Sequence, residues 1–332
     1  MGNEAAAVQK LQRHYYRKAV GATALALVGY CLLTLYLQWF CPRLGAFCWC
    51  LGELWSGSLS EGAFWLGYRN ALAELTGSSL YFALSQLILI PVCMTAAGWK
   101  CRRDAGAAPK LLAGKIDRRR LALGGLVAAF GYSLCQSFTW VWDVLFGSMG
   151  LPQASIPTIR WALGNPWLTL LLSVFISPVV EEYLFRGALL SRLRPYGDSF
   201  AIAASTVLFA LMHNSLPQLF LALAVGLVLG WLTVRTGSRT GILLHMLFNL
   251  VDWGRMMLLD NVAGISFWLQ AFWIVLLVTC GGVLFWLFGQ GRMKLDFAPA
   301  KIHIAHPWLR FFLHPAVILV AGYCLYRLIM GL

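Results

Sequence analysis

Two adjacent glutamates, an arginine, two histidines and an asparagine stand inside stretches of this chain that otherwise read as membrane-spanning helix. Glu181, Glu182 and Arg186 lie in the apolar run Leu168–Leu190, His213 closes the run Ala201–His213, and His245 and Asn249 share Gly241–Val251. A charged side chain at mid-bilayer costs roughly 2.5–3.5 kcal/mol even on lenient insertion scales, so such residues usually mark a site or a pathway. Carboxylates and imidazoles are the groups of proton transfer and of metal binding. An amide stands beside them at Asn249. The chemistry on offer is acid–base work or metal binding.

The elements that must position these groups are transmembrane helices. Apolar residues make up 60% of the 332, and charged residues only 12%, against about a quarter in a soluble domain. The expected fold is all-α, a polytopic membrane helix bundle of eight or nine spans. They fall near 19–40, 78–99, 121–143, 166–190, 199–214, 217–235, 240–258, 266–289 and 310–330. Three regions are expected: N-terminal helices with a basic loop (1–118), a catalytic bundle (119–260) and C-terminal helices (261–332).

The net charge of +13 sits in a few loops. That pattern fits membrane orientation rather than nucleic acid, because Lys and Arg gather on the cytoplasmic side. Lys10, Arg13, Arg17 and Lys18 in the head, and Lys100, Arg102, Arg103, Lys110, Lys115 and Arg118–Arg120 after the second span, are therefore expected in the cytoplasm. No cleavable signal peptide is expected at the polar, basic head. The segment 41–77 reads as an outer, interfacial stretch with Trp49, Trp55 and Trp65, and a disulfide among Cys41, Cys48 and Cys50 is compatible with that side. Cys31, Cys93, Cys135, Cys280 and Cys324 fall in apolar runs and read as small hydrophobes. Arg327 sits awkwardly, near an end that alternation puts outside.

Register argues that the polar groups meet. Pro195 and Gly197 break the chain between the fourth and fifth spans; Glu181 lies 16 residues before position 197 and His213 16 residues after it. In an antiparallel hairpin both sit about 20–24 Å from the turn. Asn249 is at a broadly similar depth on the seventh span, with His245 one turn below it on the same face. Glu182 and Arg186 are four apart, the favourable orientation for an ion pair that holds Glu182 charged. Glu181 points about 100° away from Glu182, so the two carboxylates have separate duties. Pro178 cannot donate a backbone bond, which leaves the Val174 carbonyl without its usual partner and predicts a kink or a widening.

Other polar residues read more blandly. Asp252 and Asp143 suit solvation near an interface. His303, His306 and His314 have no metal-ligand spacing. The stripe Ala222, Gly226, Gly230 reads as close helix packing.

At these residues the chain resembles the CAAX-processing and bacteriocin-processing (CPBP, or Abi) family of intramembrane proteases. The family's EExxxR is matched at Glu181, Glu182 and Arg186, its FxxxH at Phe209 and His213, and its HxxxN at His245 and Asn249. The resemblance covers roughly 120–258 and implies a helix bundle that hydrolyses peptide bonds. It implies Glu181 as general base with His213 as partner in activating water, His245 and Asn249 as oxyanion donors, and Glu182 and Arg186 in support. No cofactor is favoured; zinc held by Glu181, His213 and His245 is the alternative, although no HExxH run is present. The implied partners are the lipid bilayer and a membrane-associated or lipidated peptide or protein. The competing class is a non-hydrolytic carrier or scaffold of the same fold, against which stand the single polar cluster and the intact set of three motifs.

Overall fold

The computed structural model describes residues 2–105, 114–149, 165–213, 216–293 and 297–330. Among these the chain is helical with no strand. Seven helices are long and apolar enough to cross a membrane, and two shorter apolar helices, Asp198–Leu211 and Pro315–Arg327, accompany them. Each expected span is therefore met by a helix, but the fifth and ninth fall short of a full crossing. Lys110 lies outside the described residues.

The N-terminal helix α1 (Gly2–Leu35) runs through a wide turn at Tyr36–Phe40 into α2 (Cys41–Trp55). The segment expected as an interfacial stretch is thus a helical hairpin: α2 packs on α3 (Phe64–Gly77). Cys41, Cys48 and Cys50 lie along one helix and are free thiols, so the disulfide considered for them is not formed. Helix α4 (Ser79–Ala105) packs along α1. Helix α5 (Arg118–Gly147) starts where the Asp117 carboxylate accepts from the Arg120 amide at 3.0 Å, a regular N-cap.

Helix α6 (Pro166–Tyr196) carries the glutamates. Asn165 caps it, accepting from the amides of Trp167 (3.0 Å) and Leu168 (3.2 Å), and Pro166 fills the first turn, where no amide donor is needed. The helix widens to five-residue hydrogen bonding at Leu170–Ile176 and again at Glu182–Leu190. The widening expected beside Pro178 is present, and its form moves the orphaned carbonyl. The Ser177 amide donates to the Leu172 carbonyl, five residues back. In that register the carbonyl facing Pro178 is that of Ser173 rather than Val174.

The hairpin closes at Arg194–Tyr196 and Gly197, whose φ of +113° is a conformation that side-chain-bearing residues rarely adopt. Helix α7 (Asp198–Leu211) returns from it. The segment after position 297 straps this corner: Asp198 exchanges backbone and carboxylate bonds with Ala298, and Lys301 and Ile302 donate to the Pro195 carbonyl. Helices α8 (Leu216–Thr236) and α9 (Ser238–Asn261) follow, then α10 (Ile265–Gly289), the short α11 (Pro307–Phe312) and α12 (Pro315–Met330).

The main apolar core lies between α1, α6, α7 and α12, and a second joins α5, α8 and α9. The small-residue stripe on α8 is where α7 comes close. A Cβ on Gly226 would stand 2.9 Å from Thr206 Cγ2, and one on Gly230 2.9 Å from Ile202 Cγ2. Packing is its first role, as read from the spacing.

Candidate active site

The second wide stretch of α6 presents Glu182 and Arg186 inward, both buried. The Arg186 guanidinium pairs with Glu182 Oε1 at 3.2 Å and donates to the Gly226 carbonyl at 3.1 Å. It also lies 4.3 Å above the Phe209 ring, an arrangement worth about 2 kcal/mol once desolvated. Gly226 makes this reach feasible: a Cβ there would be 3.4 Å from Arg186 Nη2 and 3.1 Å from the Phe209 ring.

His245 from α9 stands between the two carboxylates. Its Nδ1 meets Glu182 Oε1 at 3.2 Å, and its Nε2 faces Glu181 Oε2 at 3.6 Å. The two glutamates diverge around the helix, yet one imidazole spans the gap because its two nitrogens point to opposite sides of the ring. Glu181 Oε1 takes the Ser177 hydroxyl, one turn earlier on α6. The environments differ sharply: the Glu182 side chain is 0% exposed and that of Glu181 is 27% exposed. Only Glu181 is open enough to meet water or substrate. Gly241 admits α9 to this distance, since a Cβ there would stand 3.4 Å from Glu182 Oε2 and 3.1 Å from Thr233 Oγ1.

His213 comes to the edge of the same group. Its Nδ1 bonds the Phe209 carbonyl at 3.0 Å, and no ion pair within 4.0 Å joins it to Glu181 among the described residues. Both histidines meet the Phe209 ring edge-on, at 4.9 Å for His213 and 5.7 Å for His245. Phe209 is the hub of the cluster: it touches Arg186, His213 and His245. Asn249 does not join the carboxylates directly. It donates its side-chain amide to the Ser173 carbonyl at 2.7 Å, the acceptor that Pro178 leaves without a backbone donor.

The chain's similarity to known proteins bears on these six positions. Residues 163–251 match the family model described as Rce1-like, type II CAAX prenyl endopeptidase. This segment is similar to the CAAX protease family. The match contains all six positions, and with seven helices long enough to cross a bilayer the chain is an integral membrane protein. A search of the curated proteins and one of the solved structures returned no match.

Within the CAAX protease segment, the zinc alternative can be weighed on donor geometry. Three ligands around one ion must face a common point. Here His245 directs both nitrogens at carboxylates and His213 turns one nitrogen to a backbone carbonyl. No group of three His, Cys, Asp or Glu is gathered around a common point among the described residues.

Asp252, read from sequence as solvated, is instead built into a cluster of its own. It accepts from Tyr132 Oη at 2.6 Å and pairs with Arg255 at 3.0 Å. Three contributors to the site lie outside the motifs: Ser177, Gly226 and Gly241. Two had a sequence signal. Ser177 stands four residues before Glu181, and Gly226 stands in the small-residue stripe. Gly241 had none, and Phe209, the first residue of FxxxH, was given no role of its own.

Proposed function

We propose that this chain is an intramembrane endopeptidase that cleaves a peptide bond in a membrane-associated or lipidated substrate, using water activated by Glu181 without a metal. The observation that carries this reading is the placement of His245 between a closed carboxylate, Glu182, and a partly open one, Glu181.

Geometry supports the assignment: Glu181 Oε2 and His245 Nε2 face each other at 3.6 Å, so a carboxylate and an imidazole stand together where a proton must be taken and returned. In the proposed step Glu181 removes a proton from water as its oxygen adds to the substrate carbonyl, with His213 as the second contact for that water. His245 and Asn249 are assigned as donors to the developing oxyanion, Asn249 through the amide hydrogen that Ser173 does not engage and His245 through Nε2–H once water and substrate stand between it and Glu181. The proton then passes from Glu181 to the leaving amine as the carbon–nitrogen bond breaks. Glu182 and Arg186 hold the His245 ring in place. The catalytic unit is assigned to 119–260, and the basic head is assigned to the cytoplasm.

The experiment is turnover of membrane-anchored and lipidated peptides by the full chain in liposomes. Glu181→Gln, His213→Ala, His245→Ala and Asn249→Ala are each expected to lose about 10²-fold or more, the scale of one acid–base or oxyanion group. Turnover equal to wild type in all four overturns the proposal. Stoichiometric zinc in active protein, with loss of turnover on chelation, overturns the metal-free version.

A further inference from the structure

Three sulfur atoms from parts of the chain far apart in sequence meet beside the FxxxH segment. Cys31 Sγ of α1 lies 4.0 Å from Met212 Sδ, which sits just past the end of α7. Cys324 Sγ of α12 lies 3.6 Å from the same sulfur. Both thiols thus converge on one thioether sulfur. Both cysteines are buried, at 3% and 2% exposure.

Free cysteine and methionine often serve as adaptable apolar filler. Filler does not require two thiols on one thioether sulfur, contributed by segments as far apart as the first and last helices. The spacing is that of a trigonal metal site: with metal–sulfur bonds of about 2.3 Å, three sulfurs around one ion stand about 4.0 Å apart. The donor set is two thiols and a thioether, with no carboxylate or imidazole among them. That chemistry selects a soft ion of low coordination number, and copper(I) above zinc or the hard divalent ions.

We propose that Cys31, Met212 and Cys324 form a buried site for a monovalent soft metal ion, copper(I) or its redox-inert analogue silver(I). Binding changes no oxidation state. The two thiol protons leave to solvent, both sulfurs become thiolate ligands, and the Met212 thioether completes the coordination. The resulting centre carries one net negative charge, which Arg327 offsets. That residue lies one turn beyond Cys324, donates to Tyr323 Oη at 3.2 Å, and its positive charge acts on both thiols. The site accounts for an arginine that membrane topology leaves unexplained. It also ties α1 and α12 to the residue preceding His213.

The test uses the full chain in detergent with Cys41, Cys48, Cys50, Cys93, Cys101, Cys135 and Cys280 changed to Ser. The reduced protein is loaded with silver(I), desalted and analysed for metal, and competition with a copper(I) chelator gives relative affinity. About one ion per chain should be retained. Cys31→Ser and Cys324→Ser should each abolish retention. Met212→Leu, which preserves volume, and Arg327→Gln, which acts through charge alone, should each weaken it by about tenfold or more. No retention by the parent protein, or unchanged retention in Met212→Leu and both cysteine variants, overturns the proposal. Because the readout is bound metal, its failure is distinct from any failure of the protease assay.

Discussion

Asn249 donates to the carbonyl of Ser173 across 2.7 Å, from α9 to α6. That acceptor is free because α6 widens there to five-residue hydrogen bonding and the fifth residue on is Pro178, which has no amide hydrogen. A defect in one helix is thus satisfied by a motif residue of another, and the bond fixes the position of the amide group. A buried carbonyl without a partner would cost about 1–3 kcal/mol.

Pro178→Ala restores a donor and lets α6 return toward a regular helix. The Ser173 carbonyl then has a backbone partner and Asn249 loses its anchor. Thermal stability in detergent should be unchanged or higher, because an interior proline costs about 3 kcal/mol in a regular helix. Peptide turnover should fall about tenfold or more, the range seen when a supporting contact of a site is lost. A variant with lower stability and undiminished turnover contradicts this account.

Glu182→Gln leaves the buried Arg186 without its carboxylate and gives His245 Nδ1 a neutral amide in place of a charged partner. Breaking one side of a buried pair costs about 3–5 kcal/mol. The double variant Glu182→Leu with Arg186→Met should recover most of that stability but no turnover. Unfolding curves of the single and double variants, measured in one detergent, check the pair.

Gly226→Ala places a methyl group 2.9 Å from Thr206 Cγ2 and 3.1 Å from Phe209 Cδ1. Overpacking of this kind costs about 1–3 kcal/mol. Gly230→Ala meets only Ile202, so it should cost comparable stability while leaving turnover nearer wild type. Similar turnover in the two variants would separate Gly226 from the site.

Phe209→Leu keeps an apolar side chain and removes the ring that Arg186 overlies and both histidines abut. The loss of aromatic and cation–π contact amounts to about 1–2 kcal/mol. Turnover should drop more than the stability change explains, because the ring sets the spacing of His213 and His245. Equal effects in Phe209→Leu and in a core change on another helix, such as Leu89→Ala on α4, would make Phe209 packing alone.

Hydrophobicity alone located the long apolar helices. Each apolar run of the sequence became one, and the Pro195–Gly197 break became the corner between α6 and α7. The i,i+4 pair of Glu182 and Arg186 was legible for the same reason: helix period is a local property. Two features escaped. The segment 41–77 folds as a helical hairpin, which its tryptophan content did not foretell, since that content speaks for interfaces and not for helix continuity. The Cys41–Cys50 thiols stay apart because a single helix holds them.

What this sequence determined by itself is the depth of each polar residue in the bilayer, since rise per residue along a helix is nearly invariant. Depth predicted that Glu181, His213 and the α9 residues come near one another. Only tertiary structure decided which of them touch. Rotation about each helix axis and the distance between axes follow from contacts remote in sequence, among them Gly241 beside Glu182 and Gly226 beneath Arg186. Those contacts gave the open glutamate His245 as its direct neighbour, and set His213 against the far edge of Phe209.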